Sequence, residues 1–173
     1  MNNRVEIPHD PLAAGPFRLV PLTMSHWKLE HQLSRCTDVA AWTLYPPELN
    51  ETQARERVIR SQQAAAAGQA ARYAVERNGT ALGTAGIKNT EDAPEIFYAL
   101  LPAGRGQGAA TAAAVALSGW ALDHDAPYVA LWTLPGNSAS ERVAQRAGFF
   151  SAEGDHSNQG DFEGPRLWTR FML

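Results

Sequence analysis

The fold is decided by the stretch Leu100-Leu101-Pro102-Ala103-Gly104-Arg105-Gly106-Gln107-Gly108-Ala109-Ala110-Thr111. Here an apolar strand runs into a glycine-rich turn, and the turn opens an alanine-rich helix. Three glycines within five residues let the backbone bend tightly and approach a ligand, because no Cβ stands in the way. The first N–H groups of the helix add hydrogen-bond donors and a partial positive charge. This arrangement predicts a cradle for a diphosphate-bearing cofactor.

Two other phosphate-binding loops compete for this stretch. Gly104-x-Gly106-x-x-Ala109 satisfies the degenerate dinucleotide fingerprint, but that fingerprint needs an acidic residue at the end of the next strand. The next predicted strand, residues 128–133, is followed by Leu-Pro-Gly-Asn. A triphosphate-binding loop needs a Gly-Lys-Ser/Thr run, and the two lysines of the chain are Lys28 and Lys88. The sequence therefore disfavours both loops.

Length and charge limit the function classes. At 173 residues the chain is long enough to bury a core of its own, and we expect a single globular unit. A net charge of -3 without a basic cluster argues against nonspecific nucleic-acid binding. Cys36 is the single cysteine, and we find no basic and apolar leader, so we expect a cytoplasmic protein without a membrane partner.

Capping signals and turn residues outline the first half of the chain. Residues 1–16 carry three prolines and little periodicity, which predicts a loose N-terminal arm ahead of one domain over 17–173. Thr23 can cap a first helix that runs to about residue 35. Asn50 and Gln53 form a capping box for a second helix. Between the two helices lies an aromatic loop over residues 42–47.

The second half alternates strands with two helices. Asn78-Gly79 predicts a type I′ hairpin that joins strands 72–77 and 80–88, and a strand over 95–101 follows. One face of the next helix carries apolar residues at helical spacing: Ala110, Ala113, Ala114, Leu117 and Ala121. Ser138 and Glu141 form a capping box for the later helix, and strands near 149–152 and 166–173 close the chain. We predict a mixed α/β fold, with a mostly antiparallel sheet flanked by helices.

Several motifs in the predicted order resemble one family. The segment Arg105-Gly106-Gln107-Gly108-Ala109-Ala110 is similar to the cofactor loop of the GNAT superfamily of acyl-CoA N-acyltransferases, which reads Gln/Arg-x-x-Gly-x-Gly/Ala. The flanking Phe17-Arg18-Leu19-Val20-Pro21-Leu22, Glu95-Ile96-x-Tyr98 and Pro135-Gly136-Asn137-x-x-Ser140 resemble its RimJ/RimL-type branch, the ribosomal-protein-alanine acetyltransferases. The resemblance spans residues 17–173 and implies the GNAT fold.

The resemblance implies acetyl transfer from acetyl-CoA to a primary amine, without a metal. The diphosphate of acetyl-CoA would accept hydrogen bonds from the backbone of the cradle, with the Thr111 hydroxyl nearby and the Arg105 side chain adding charge. Pantetheine would pair with the backbone of a strand edge that opens before the loop. The cofactor residues implied are Tyr98, Ala99, Leu100, Leu101, Arg105, Gly106, Gln107, Gly108, Ala109, Ala110 and Thr111.

Proton transfer needs further side chains. Glu95 aligns with the glutamate that faces the acceptor in many of these relatives, and it is the candidate base that takes the proton of the attacking amine. Asn137 and Ser140 match the family's Asn-x-x-Ser at a helix N-terminus, where they would contact the cofactor, and Ser140 would serve the leaving thiolate as an acid. The plainer interpretations are a solvated Glu95 and a simple helix cap at Asn137 and Ser140.

The acceptor is the least determined part. Trp42 and Tyr45 could wall a cleft, and Phe97, which stands where relatives commonly have glycine, would narrow it. Residues 147–165 are acidic and would suit a cationic amine. The acceptor is then either a protein N-terminus or a small-molecule amine. We expect the enzyme to be a monomer or a homodimer. The alternative is a protein of the same fold that binds acyl-CoA as a sensor or scaffold without turnover.

Overall fold

The computed structural model describes residues 4–151 and 164–172. Its strands are β1 Leu12–Ala14, β2 Phe17–Pro21, β3 Ala70–Arg77, β4 Thr80–Lys88, β5 Glu95–Leu100, β6 Val129–Thr133, β7 Phe150–Ser151 and β8 Arg166–Arg170. Its α-helices are α1 Trp27–Ser34, α2 Thr37–Trp42, α3 Glu51–Ala66, α4 Ala109–Asp123 and α5 Ser138–Arg146. None of these helices is long and apolar enough to span a bilayer.

The strands of this described part form one sheet in the order β1-β2-β3-β4-β5-β6-β8-β7. Neighbouring strands are antiparallel, except that β5 and β6 run parallel. The predicted hairpin is confirmed, since Arg77 pairs with Thr80 across a turn in which Asn78 and Gly79 have φ of 51° and 76°. These positive values explain why Asn-Gly stands there. The predicted fold class, a mostly antiparallel α/β sheet, is therefore confirmed.

Helices cover both faces of the sheet. The alanine-rich face of α4 packs on one side, and Ala113, Ala114, Leu117 and Ala121 have no exposed surface, as the periodicity predicts. On the other side, α1 packs against α3 around Leu29, Leu33 and Val58, which are all buried. Small alanine side chains let α4 lie close to the strands. The strand that leads into the glycine loop therefore runs between two packed layers.

The predicted caps hold in the first half of the chain. Asn50 and Gln53 form the reciprocal capping box of α3, with both N–H···O distances 2.9 Å. Thr23 caps a short 3₁₀ turn that continues into α1. The helix α2 was not predicted, because its six residues carry too little periodicity to stand out.

The N-terminal segment is a correction. We expected a loose arm over residues 1–16, yet Val5 and Ile7 are buried in the core. The Asn89 side chain hydrogen bonds to the backbone of Val5 at both N–H and C=O, at 3.1 and 2.9 Å. The strand β1 extends the sheet by pairing with β2. Three prolines suggested irregular backbone, but buried apolar residues and side-chain hydrogen bonds hold this segment all the same.

Candidate active site

The glycine turn lies between β5 and α4, as the sequence predicts. A 3₁₀ turn over Pro102–Gly104 leads into it, and Gly106 and Gly108 have φ of 72° and 83°. Such values favour glycine, because a side chain in this conformation costs energy. Gly104 is required for a different reason: a Cβ there would lie 2.6 Å from the carbonyl oxygen of Leu82. The turn therefore packs against β4 and exposes its own backbone.

The exposed backbone is rich in donors. Among the described residues, no backbone hydrogen bond outside helices and strands is donated by residues 106–111. These N–H groups stand at the start of α4, a helix of 15 residues whose positive dipole end points the same way. Gly108 is the N-cap and supplies no side chain that could bind them. The turn can therefore hold an anionic group such as a diphosphate.

Arg105 does not extend into this cradle. Its Nη1 lies 2.6 Å from Oδ2 of Asp38 and its Nη2 lies 3.1 Å from Oδ1, so the two form a bidentate ion pair with α2. Nε and Nη2 also donate to the carbonyl of Leu100, at 3.3 and 3.0 Å. We expected this side chain to add charge beside the diphosphate. In this arrangement it instead ties the end of β5 to α2.

The strand edge before the turn is open toward β6. The parallel pair β5–β6 has register only at Glu95↔Ala130 and Ile96↔Leu131, so the two strands separate after Ile96. Tyr98 and Ala99 are thus left with no strand partner on that side within the described chain. Leu101 is a correction to the predicted set, because its N–H donates to Leu82 and its C=O accepts from Gly104.

Tyr98 projects toward α5 from this opening. Its hydroxyl is buried without a hydrogen bond of normal geometry among the described residues, and Ser140 is the polar side chain that influences it. Burial raises the pKa of Tyr98 to about 12, against a smaller lowering by the Ser140 hydroxyl. The phenol therefore stays protonated at neutral pH. The structure thus brings together Tyr98 and Ser140, which belong to two separate motifs of the sequence.

Asn137 is the N-cap of α5. Its Oδ1 accepts a hydrogen bond from the Ser140 N–H at 3.2 Å. We predicted Ser138 at this position, and the cap lies one residue earlier, because a turn through Gly136 with φ of 84° ends at Asn137. The carboxamide oxygen is thus engaged by the helix. No hydrogen bond from the amide NH₂ of Asn137 is found among the described residues.

Glu95 begins β5 and forms an ion pair with Lys88. The Lys88 Nζ lies 3.0 Å from Glu95 Oε1, and the glutamate side chain is 17 % exposed. The two residues are direct partners in the β4–β5 register. Glu95 shares a sheet face with Phe97, two residues along the strand. Lys88 was not predicted as the partner of Glu95, because strand pairing sets its position next to Glu95 and spacing along the chain does not.

The two aromatic residues predicted to line the acceptor cleft differ in their exposure. Trp42 is 41 % exposed, and its ring lies 3.8 Å from the position that a Cβ of Gly136 would occupy, so it faces the turn before α5. Tyr45 does not line an open cleft as predicted, since it is buried and its hydroxyl donates to the Glu30 carboxylate. Of the acidic segment 147–165, residues 152–163 lie outside the described part of the chain.

A buried charge cluster on the α3 side of the sheet was not predicted from the sequence. Glu30 has no exposed surface and accepts from Arg57 Nε at 2.6 Å. Its other oxygen lies 3.6 Å from Arg72 Nη1. The signal available in the sequence was a glutamate between the buried leucines of α1, which is too common on helices to indicate a cluster.

Comparison with known proteins places the chain in a family. The family model described as an acetyltransferase (GNAT) domain matches residues 17–150. This range includes the glycine turn, the opened edge and α5. The curated proteins gave no match.

Solved structures share the fold along almost the whole chain. RimL, a ribosomal L7/L12 alpha-N-protein acetyltransferase in complex with coenzyme A, is 21% identical with a TM-score of 0.79, over 94% of this chain and 98% of that one. The microcin C7 self immunity acetyltransferase MccE, in complex with acetyl-CoA and AMP, is 13% identical with a TM-score of 0.80, over 96% and 99%. Mycobacterium smegmatis RimJ in complex with CoA-disulfide is 20% identical with a TM-score of 0.70, over 93% and 85%. At such identities these likenesses concern the fold.

Proposed function

The chain belongs to the GNAT acetyltransferase family, and from this premise we propose that it transfers the acetyl group of acetyl-CoA to a primary amine. One observation carries the proposal: the strand that leads into the glycine turn separates from its parallel neighbour after Ile96. The separation leaves a backbone edge for the two amides of pantetheine. The turn beyond it offers unpaired N–H groups for the diphosphate.

Different residues would bind different parts of acetyl-CoA. The N–H groups of residues 106–110 would hold the diphosphate, with Thr111 beside them. The edge at Tyr98, Ala99 and Leu100 would pair with pantetheine, and a backbone N–H in this stretch would stabilise the oxyanion of the tetrahedral intermediate. Arg105 contributes by fixing Leu100 through its carbonyl. RimL and MccE were solved with coenzyme A and acetyl-CoA, which supports the same donor here.

Direct attack on the thioester needs a base and a proton donor. Glu95 would accept the proton of the attacking ammonium through Oε2, while Lys88 holds Oε1 and thereby orients the carboxylate. The amine nitrogen forms a bond to the carbonyl carbon, and the carbon–sulfur bond then breaks. Ser140 would donate a hydrogen bond to the departing thiolate at the N-terminus of α5. In this mechanism the amine attacks the thioester directly, and no acyl-enzyme forms.

The acceptor is a protein N-terminus or a small-molecule amine. RimL acts on the alpha-amine of a ribosomal protein, which favours a protein N-terminus. MccE is a self immunity acetyltransferase that was solved with AMP, which favours a small molecule. The two sources share the nucleophile and the mechanism.

Binding of the donor tests the proposal first. Acetyl-CoA at about 100 times its dissociation constant stabilises the folded protein by about 2.7 kcal/mol, which raises the melting temperature by several degrees. NADH and ATP at the same concentration give no such shift. Gly108→Asp weakens acetyl-CoA binding about 100-fold, because it places a carboxylate beside the diphosphate.

Gly68→Asp is the matched control for this variant. Gly68 has φ of 65° and Gly108 has φ of 83°, and no described atom lies within 4 Å of a Cβ added at either position. Gly68, however, follows α3 and lies outside the cradle. The control retains acetyl-CoA binding. Equal loss in both variants, or a larger shift with NADH, would refute the cradle. Acetyl-CoA binding without acetylation of any amine would favour the sensor or scaffold instead.

A further inference from the structure

A cavity lies on the sheet face that Glu95 shares, between α3 and the strands. It measures about 190 Å³, and its polar lining consists of Arg57, Arg60, Ser61 and Arg72, with Phe97 at one side. A second cavity of about 230 Å³ shares Ser61 and Arg72 with it. Ligand pockets for drug-sized molecules measure about 300–1,000 Å³. The first cavity therefore fits a small group, not a whole nucleotide.

Positive charge exceeds negative charge around this cavity. Arg57 and Arg72 both face the single carboxylate of Glu30, which has no exposed surface. The two arginine side chains are themselves only 17 % and 18 % exposed. At the mouth, Arg60 is exposed and lies 3.9 Å from Glu56, at the limit of an ion pair. Among the described residues, Glu30 is thus the one carboxylate that these two buried guanidinium groups share.

Arg72 has guanidinium donors that no hydrogen bond within the described part of the chain uses. Its nearest described polar partner is Glu30 Oε1 at 3.6 Å, beyond hydrogen-bond distance, and no hydrogen bond from its guanidinium is found in the described chain. The guanidinium lies instead over the rings of Phe97 and Tyr45, at 5.1 and 5.7 Å from their centres. Burial lowers the pKa of Arg72. A planar, partly stacked guanidinium of this kind is suited to bidentate binding of a carboxylate or phosphate.

The strand register places this cavity next to the candidate base. Arg72 pairs with Gly86, and Gly86 pairs with Phe97, so the three lie in one row across β3, β4 and β5. A Cβ on Gly86 would lie 2.3 Å from the Phe97 ring, so glycine allows Phe97 to lie across the strand toward Arg72. Glu95 is two residues before Phe97 on the same face, about 7 Å along the strand.

We infer that the acceptor carries an anionic group, a carboxylate or a phosphate, that binds Arg72 and Arg60 in this cavity while its amine faces Glu95. The inference rests on the proposed acetyl transfer. It also assigns Phe97 a role, because the ring orients the arginine that recognises the acceptor. The anionic group belongs either to a free small molecule or to an acidic residue close to a protein N-terminus. Both present the same chemistry to the arginines.

Paired acceptors that differ in one anionic group test the inference, with CoA release measured at saturating acetyl-CoA. In the small-molecule arm, phosphoethanolamine is compared with ethanolamine, and β-alanine with β-alaninamide. In the peptide arm, Ser-Glu-Ala-Ala-amide is compared with Ser-Gln-Ala-Ala-amide. We expect kcat/KM about tenfold higher for the anionic member in one arm, since a charge-assisted bidentate contact is lost in the other member. The arm that shows the preference identifies the source of the anion.

Two arginines of α3 provide a matched pair of variants. Arg60→Gln removes a charge from the cavity mouth. Arg55→Gln removes one from another i,i+4 pair of α3, with Glu51 at 2.8 Å, that does not line the cavity. Arg60→Gln raises KM several-fold for the anionic acceptor alone and leaves kcat unchanged. Arg55→Gln changes neither value. Glu95→Gln lowers kcat for charged and neutral acceptors alike, which separates the chemical step from anion binding.

A binding measurement decides the case in which no acceptor is turned over. Phosphoethanolamine raises the melting temperature of the wild-type protein with acetyl-CoA bound, and Arg72→Met removes this shift. Equal kcat/KM for both members of every pair would overturn the anion site while leaving acetyl transfer intact. So would the absence of both turnover and a phosphoethanolamine shift in a protein that binds acetyl-CoA. Failure to bind acetyl-CoA, in contrast, refutes the proposed function itself.

Discussion

Two regions of this molecule are built in opposite ways. The donor region, residues 98–111 with the turn before α5, is made largely of backbone from one short stretch. The proposed acceptor region, formed by Glu30, Arg57, Arg72 and Phe97, is made of side chains from four separate elements. The donor region offers N–H groups for which the described residues supply no hydrogen-bond acceptor outside helices and strands. The acceptor region is held by contacts that exist only after the sheet and helices have packed.

The largest expected effect concerns the charge cluster of the acceptor region. Glu30→Gln leaves Arg57 and Arg72 buried without an opposing charge, and we expect the free energy of unfolding to fall by about 3 kcal/mol. Urea denaturation at pH 7 measures this value. Glu51→Gln, which breaks the exposed pair with Arg55, costs at most about 0.5 kcal/mol. A loss below about 1 kcal/mol for Glu30→Gln would show that packing, not charge, holds the acceptor region.

The contrast explains what the sequence could predict. The glycine turn, the Asn-Gly hairpin and the Asn50 capping box depend on neighbours in the chain, and each was placed correctly. Tyr45 was misplaced in an open cleft, because its burial depends on a glutamate 15 residues away. The buried Val5 and Ile7 were missed for the same reason, since their partners lie across the sheet.

In the candidate site, too, the sequence predicted positions within motifs but not contacts between distant elements. Tyr98 and Ser140 were each identified from a motif of their own, and the structure brings them together. The partners of Glu95 and Arg105, which are Lys88 and Asp38, follow from strand register and from an unpredicted helix. Sequence patterns therefore located the candidate groups but not the ion pairs that orient them. The roles of these residues in catalysis stay predictions.

A smaller effect is expected at the cap of α5, where the donor region depends on a side chain. Asn137→Ala removes the acceptor of the Ser140 N–H, and we expect the free energy of unfolding to fall by about 1 kcal/mol. Asn137→Ser restores most of this stability because serine also caps helices. If the carboxamide contacts the cofactor as well, the serine variant still binds acetyl-CoA several-fold more weakly. An unchanged affinity of Asn137→Ser for acetyl-CoA would show that Asn137 acts only as the helix cap.

The smallest effect is expected at Tyr98, and its sign is the informative part. Within the described part of the chain the buried Tyr98 hydroxyl has no hydrogen bond of normal geometry, so Tyr98→Phe raises the free energy of unfolding at pH 7 by up to about 1 kcal/mol. Tyr73 is the matched comparison: its buried hydroxyl donates to the carbonyl of Pro8, and Tyr73→Phe lowers stability by about the same amount. Opposite signs in the two variants would show that the donor region keeps a polar group that folding does not satisfy.

The pH dependence provides an independent check on Tyr98. Its pKa is raised to about 12 in the folded protein, whereas an unfolded tyrosine titrates near 10. Above pH 10 the unfolded chain loses this proton while the folded protein retains it, so stability falls as the pH rises toward 12. Tyr98→Phe removes that contribution, and its advantage over the wild type should grow from pH 10 upward. A constant difference between the two proteins from pH 8 to 11 would mean that Tyr98 is open to solvent, and the donor region would then lack a buried phenol beside Ser140.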